Sequence, residues 1–259
     1  MATRAASGTQ TIGRAVQLLK VIATGRRPGW RLSDVAAACN LDPATAHRML
    51  KRLVAERLVV RDADRHYRPG PLLFELGLSF PQPLQLVEAV RAPLTALARE
   101  SRAVGSLWLP SGFDVVCASR VGTANTSVFV DVGTRRPAAS MAPGLSILLG
   151  LPRKQRRAIL AENLARIPHL FPGRLDGFKA MITRSERAGY GITYGDVGIG
   201  IFSIGAAIES RGGQPLAALA LIGSTDDLPP HRVDRLAARL QATAEKIGRD
   251  LPDALPVPA

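Results

Sequence analysis

Along residues 14–53 the apolar positions follow a helical period. Beyond residue 103 they gather into short runs bounded by glycine and proline, so a helical front is followed by a mixed rear. Ala15, Leu18, Leu19 and Ile22 give a helix over residues 14–24 one apolar face; Leu32, Val35, Ala36 and Cys39 do so for a second, and Ala46, Leu50 and Leu53 for a third. Residues 58–61 and 66–68 read as two strands around the turn Ala63-Asp64-Arg65, and Pro69-Gly70-Pro71 stops them. Three helices followed by a basic hairpin make a winged helix-turn-helix.

The rear reads differently. Residues 71–79 predict a short apolar helix that Phe80-Pro81-Gln82-Pro83 breaks, and residues 84–101 a longer one with a start or kink near Ala92, because Pro93 follows. Strands are expected at 106–109, 115–121 and 128–132, with turns at Pro110-Ser111-Gly112 and Gly122-Thr123-Ala124-Asn125; connections this short pair neighbours antiparallel. Helices at 143–151, 153–166 and 176–188 precede strands at 190–194, 200–210 and 215–223, and an amphipathic helix over 229–251 closes the chain. Helices grouped between two strand sets predict an α+β domain with a curved antiparallel sheet. The expected division is a DNA-binding domain over 1–70, a linker over 71–83 and a second domain over 84–259. Residues 1–10, small and polar, are expected to be a disordered arm.

The helix ends sharpen the reading of the front. Ser33 is the expected N-cap of the second helix; Asn40 and Leu41 make the turn; Asp42 caps the third helix, with Pro43 at its first position, where the missing N–H costs nothing. Winding the third helix at about 100° per residue separates Ala46, Leu50 and Leu53 from Ala44, Arg48, Lys51 and Arg52. A helix that enters a major groove needs this division, with small residues near its start and cations that reach guanine edges or phosphates. Thr45 and His47 flank the cationic side, and the wing carries Arg65, His66 and Arg68. Ser33, Pro43, Ala44, Thr45, His47, Arg48, Lys51, Arg52, Arg65 and Arg68 are therefore the candidate DNA contacts.

Charge agrees with this. The net charge of +13 divides unevenly, since residues 1–80 hold 13 Lys/Arg and 6 Asp/Glu and the other 179 hold 21 and 15. Net positive charge per residue is more than twice as high in front, which favours nucleic acid over an anionic membrane surface as partner. Cys39 and Cys117 stand alone without a disulfide pattern, Cys39 as a core residue, and this points to a reducing compartment. Arg14, Gln17 and Lys20 interrupt the only apolar segment near the N-terminus, and the later apolar runs are too short to span a bilayer. A cytoplasmic protein is expected.

The chain also resembles a known family. Thr11-Ile12-Gly13-Arg14-Ala15-Val16, Leu32-Ser33-Asp34-Val35-Ala36, Pro43-Ala44-Thr45-Ala46-His47-Arg48-Met49-Leu50 and Tyr67-Arg68-Pro69-Gly70 are similar to the DNA-binding half of the IclR transcriptional regulators. Arg136-Pro137-Ala138-Ala139-Ser140-Met141-Ala142-Pro143-Gly144, Ala188-Gly189-Tyr190-Gly191-Ile192 and Gly213-Gln214-Pro215-Leu216-Ala217-Ala218-Leu219 resemble segments of its second half, so the likeness covers roughly residues 9–250. The resemblance implies operator DNA as partner, a GAF-like effector domain that takes a small molecule, often an organic acid, and a homodimer or tetramer.

Within the implied effector site the chain departs from the family. Ala139 stands where a His is common and Leu145 where a Lys is common, and of Ser203, Ala220 and Ile222 only the first keeps a hydrogen-bonding side chain. Buried ligand oxygens without partners cost about 1–3 kcal/mol each, so a compact keto acid would be poorly held. An effector larger and more apolar, aromatic or terpenoid-like, is expected against Trp108, Met141, Gly144, Leu145, Tyr194, Phe202, Ser203, Ala220 and Ile222. Met141 and Phe202 read equally well as ordinary core.

Other classes find less support. The stretch from Gly195 to Gly200 is glycine-dense but is not G-x-G-x-x-G, and Ile201 stands two before Ser203 where a hydrolase elbow needs glycine. His47, His66, His169 and His231 lack ligand spacing, so neither a metal nor another cofactor is expected. The competing readings are a small-molecule enzyme with an appended DNA-binding module, marked by ligand turnover from Leu84 onward, and an architectural binder without sequence preference.

Overall fold

A computed structural model describes residues 7–24, 28–79, 81–122, 130–196 and 200–251. The chain forms two compact units, Met1–Pro81 and Gln82–Ala259.

In the first unit α1 (Ser7–Ile22), α2 (Leu32–Ala38) and α3 (Pro43–Ala55) surround a small core, and β1 (Val59–Arg61) pairs antiparallel with β2 (Tyr67–Pro69) as the wing. Leu18, Ile22, Val35, Cys39, Leu50, Leu53, Val59 and Tyr67 fill that core. Fully burying each large aliphatic among them contributes roughly 1.5–3 kcal/mol, which offsets the ordering of helices too short to persist alone. Helix α1 starts at Ser7, so residues 7–10 are helical and not part of a disordered arm. Trp30 pairs its backbone with Tyr67, extending the wing sheet by one residue. The short helix α4 (Pro71–Gly77) follows.

The second unit is a six-stranded antiparallel sheet in the order β5-β4-β3-β8-β7-β6, with helices on both faces. Its strands are β3 (Val104–Ser111), β4 (Asp114–Val121), β5 (Arg135–Pro137), β6 (Gly191–Tyr194), β7 (Ile201–Glu209) and β8 (Pro215–Ser224). Strand β8 shows the organising rule: Ala217, Leu219 and Leu221 face one side, and Ala218, Ala220 and Ile222 the other. The first side carries α5 (Pro81–Ser101) and α9 (Pro230–Asp250) through Leu86, Val90, Leu94, Leu236 and Leu240. The second carries α6 (Ala142–Gly150), α7 (Arg153–Leu170) and α8 (Leu175–Ala188) through Leu145, Leu148, Ile159, Ile167, Phe178 and Met181.

Two expectations need correction here. Helix α5 begins at Pro81 and runs through Pro93; buried Val90 and Leu94 hold it from both sides of the proline, so tertiary packing outweighs the lost hydrogen bond. The strand expected at 128–132 lies instead at Arg135–Pro137, at the sheet edge; Val130, Asp131 and Val132 are not strand, and 128 and 129 lie outside the described residues. Backbone bonds from Cys117 to Thr134 and from Gly133 to Cys117 turn the chain first, and Asp114 pairs with Arg135. The turn at 123–125, Arg26, Arg27 and residues 197–199 also fall outside the described residues.

Candidate DNA-binding face and effector site

Helix α3 is set by its first turn. Asp42 stands at the N-cap and accepts the Thr45 N–H at 2.8 Å, with Pro43 next in line. Hydrogen bonding from the Thr45 side chain and from its N–H holds the Asp42 carboxyl below its ordinary value, since it favours the charged form. The Thr45 hydroxyl in turn accepts from the Arg48 guanidinium at 3.1 Å, so one turn orders the next. Ala46, Leu50 and Leu53 are buried, while Ala44, His47, Arg48, Lys51 and Arg52 are exposed together. Arg52 is paired with Glu56 one turn on, an exposed pair that a phosphate can displace.

The first helix of the pair is capped two residues earlier than expected. Arg31 occupies the N-cap position of α2 without a side-chain bond; Ser33 lies inside the helix, exposed, with its hydroxyl on Asp34 at 3.4 Å. Asn40 takes φ +50° in the turn, a conformation asparagine tolerates well.

In the wing, Arg65 sits exposed at the tip with φ +63°, and Arg68 is half exposed with its guanidinium 2.8 Å from Asp62. Asp62 organises this hairpin. It accepts the His66 N–H at 2.8 Å, which with Arg68 lowers its carboxyl below the ordinary range. His66 is mostly buried beside it. Asp62, Asp64 and His66 bring three possible metal ligands within 4.8 Å, but Asp62 is already engaged by Arg68 and the His66 backbone. Sequence reasoning missed Asp62; an acid opposite two basic wing residues was the available signal.

In the second unit the predicted effector residues divide between the two sheet faces. Trp108, Leu145, Ala220 and Ile222 meet in one buried cluster, with Met141 packed against it. Ser203 pairs directly with Ile222 across β7 and β8 and so shares that face. It is 6 % exposed and its Oγ has no hydrogen-bond partner among the described residues. Trp108 donates its indole N–H to Ser106 at 2.8 Å, so its own polar atom is satisfied.

Phe202 and Tyr194 do not belong to this group. Phe202 precedes Ser203 in the strand and therefore points to the opposite face, into the cluster beneath α5 and α9. Tyr194 is its cross-strand partner, with ring centroids 4.5 Å apart, and the Arg184 guanidinium lies over the Tyr194 ring. Gly144 serves packing: a Cβ there would stand 2.1 Å from the Ala138 carbonyl oxygen. At Gly205 a Cβ would meet the Ala142 backbone at 2.7 Å, so this glycine lets α6 lie directly on the sheet.

The segment before α6 is fixed by a residue sequence reasoning overlooked. Asn163 on α7, fully buried, accepts the Ala139 N–H at 2.7 Å and donates to the Phe113 carbonyl at 2.9 Å. Ile159, Asn163 and Ile167 lie four apart on the buried side of α7, and an amide on an apolar stripe was the signal that could have found it. Against Leu145, Leu148, Leu160 and Ile182 there is a void of about 10 Å³. A larger cavity of about 560 Å³ lies elsewhere, at the free end of β7 between Gly150 and Arg249.

A winged helix-turn-helix with an exposed basic recognition helix, followed by an α+β domain, defines a DNA-binding transcriptional regulator. Residues 11–63 match the IclR helix-turn-helix domain and residues 81–249 the bacterial transcriptional regulator IclR C-terminal domain. The chain belongs to the IclR family of transcriptional regulators, and its C-terminal unit is the family's effector-binding domain. It is 23% identical over 246 residues to the HTH-type transcriptional regulator KipR of Bacillus subtilis (strain 168), covering 93% of this chain and 97% of that one. To the HTH-type transcriptional regulator BhcR of Paracoccus denitrificans (strain Pd 1222) it is 24% identical over 242 residues, covering 92% and 86%. These relatives are regulators, not enzymes. The fold is similar to that of an IclR family transcriptional regulator from Brucella abortus, with TM-score 0.74, 18% identity and coverage of 94% and 93%. It is also similar to an IclR homolog from Microbacterium hydrocarbonoxydans solved with 4-hydroxybenzoate, with TM-score 0.69, 22% identity and coverage of 92% and 97%. No helix among the described residues is long and apolar enough to cross a membrane.

Proposed function

We propose that this chain is a sequence-specific operator-binding regulator whose DNA affinity is set by an apolar or aromatic small molecule. The observation that carries the DNA half is the face of α3, where Ala44, Thr45, His47, Arg48, Lys51 and Arg52 form one surface above a buried Ala46, Leu50 and Leu53. Arg48 and Lys51 read base edges or phosphates, Pro43 and Ala44 allow close approach, and Arg65 and Arg68 hold backbone or minor groove from the wing. Ser33, exposed at the start of α2, is positioned for a phosphate.

Exposed apolar residues favour an oligomer: Ile12 and Val16 on α1, and Phe74 and Leu76 on α4, are large side chains left in solvent by the single chain. A dimer places two α3 helices in successive major grooves, with half-sites about 34 Å apart or a multiple of it. Hydroxyl-radical footprinting tests this, with two protected patches at that spacing expected. A single patch, or uniform protection, overturns it.

The effector half rests on Ser203, whose buried hydroxyl lacks a partner among the described residues and shares a sheet face with Trp108, Ala220, Ile222, Leu145 and Met141. One hydroxyl among apolar walls suits a ring with a single polar substituent better than a compact keto acid. The 4-hydroxybenzoate held by the Microbacterium homolog is likewise an aromatic ring, bearing a hydroxyl and a carboxylate. Calorimetric titration with aromatic acids and with keto acids decides it. Micromolar binding of a compact keto acid and none of the aromatic acids would sink the proposal.

A further inference from the structure

The first turn of α7 runs against local electrostatics. Arg153, Lys154, Arg156 and Arg157 fall within its first five residues, and the turn contains no acid. The N-terminus of a helix carries partial positive charge, so cations there destabilise it. Their spacing adds to this: 153 with 156, 153 with 157 and 154 with 157 are like-charged neighbours one turn apart. At about 100° per residue the four fill one arc of roughly 160°, within about 6 Å of helix axis. Arg153, Lys154 and Arg157 are exposed, Arg156 lies partly sheltered at a small void that Leu145, Leu160 and Glu186 also line, and none of the four is in an ion pair among the described residues. The helix persists because Ile159, Asn163 and Ile167 anchor its later turns. Four cations that weaken their own helix, three of them exposed, are complementary to a partner carrying closely spaced negative charge.

We propose that this quartet is a second, sequence-independent DNA contact, binding backbone phosphates outside the site read by α3. Duplex DNA presents one charge per about 1.7 Å of axis, so a patch this compact meets several phosphates or none. The inference rests on the DNA-binding reading above, but places part of the affinity in the effector-binding domain.

The test uses the full-length protein and a duplex from its own upstream region, with affinity measured by fluorescence anisotropy between about 50 and 200 mM salt. The variant Arg153→Ser, Lys154→Ser, Arg157→Ser is compared with wild type and with Arg99→Ser, Arg187→Ser, Lys246→Ser, which removes as many exposed charges elsewhere on the domain. Each lost phosphate contact flattens the log affinity against log salt slope by about 0.9, so the α7 variant flattens it by about 2 to 3 per protomer and the control by less than 1. Preference over random duplex stays at the wild-type ratio, and the α7 variant melts no lower than wild type, because repulsion has been removed. An unchanged slope, an equal flattening in the control, a lost sequence preference or a lower melting temperature overturns the inference and leaves operator binding standing. A wild type that binds no DNA overturns both together.

Discussion

Replacing Asn163 by leucine removes the side chain that ties α7 to the segment before α6. The Ala139 N–H, completely buried, then loses its acceptor, a loss of about 1–3 kcal/mol. The Phe113 carbonyl fares better, since it still accepts from the Ala138 N–H at 3.1 Å, and loses only a second bond of about 0.5–1.5 kcal/mol. Roughly 3 kcal/mol in all corresponds to a fall in melting temperature of about 6–12 °C for a domain of this size. Asn163→Asp refines the test. The carboxylate still accepts from Ala139 but sets a charge against the Phe113 oxygen, so burial raises its folded pKa above the unfolded value of about 3.9. Protonated, it donates to Phe113 as the amide does; the deficit against wild type is therefore small near that pH and grows as pH rises through the folded pKa. Differential scanning calorimetry of the three proteins from acid to neutral pH reads both effects. A leucine variant within about 2 °C of wild type, or an aspartate variant with no pH-dependent deficit, refutes the bonding scheme.

Three further outcomes are expected. Asp42→Ala lowers the stability of the first unit above the ordinary carboxylate value of 3.8, and the deficit closes as pH falls through the depressed folded pKa; a pH-independent deficit in circular-dichroism melts counts against the cap. Ser203→Ala leaves stability unchanged or slightly raised, because a buried hydroxyl without a partner is removed, and weakens the aromatic effector about tenfold, or roughly 1.4 kcal/mol, in calorimetric titration; a clear loss of stability shows that the hydroxyl is bonded. Cys39 and Cys117 are both buried and burial pushes both thiols up, Cys117 to about 12, so a thiol reagent at mildly alkaline pH labels the native protein slowly and both cysteines once denatured; rapid native labelling contradicts the buried placement.

The front of the chain was readable because its signals are local. The α3 cap, Pro43 and the period of Ala46, Leu50 and Leu53 lie within one short stretch, and the helix follows them. Ser33 misled because its neighbour Leu32 already has helical geometry, which moves the cap to Arg31. In the rear most strands announced themselves, but β5 did not: Arg135-Arg136-Pro137 carries no alternation, and only pairing to Asp114–Val116 makes it a strand. The sorting of effector residues was legible in part. Neighbours on a strand face opposite ways, so Phe202 and Ser203 could never line one pocket, whereas the direct pairing of Ser203 with Ile222 is fixed by register and not by local sequence. Asn163 was missed because its partners lie 24 and 50 residues away.

The central claim is that α3 reads DNA sequence, and the most direct measurement is competition binding. Purified protein is mixed with its own upstream DNA and excess random duplex, comparing wild type with Arg48→Ala plus Lys51→Ala. The account predicts that wild type stays bound under competition while the variant does not, although both melt alike because these side chains are exposed. Equal binding by the two proteins, or no binding by either above the random background, contradicts it.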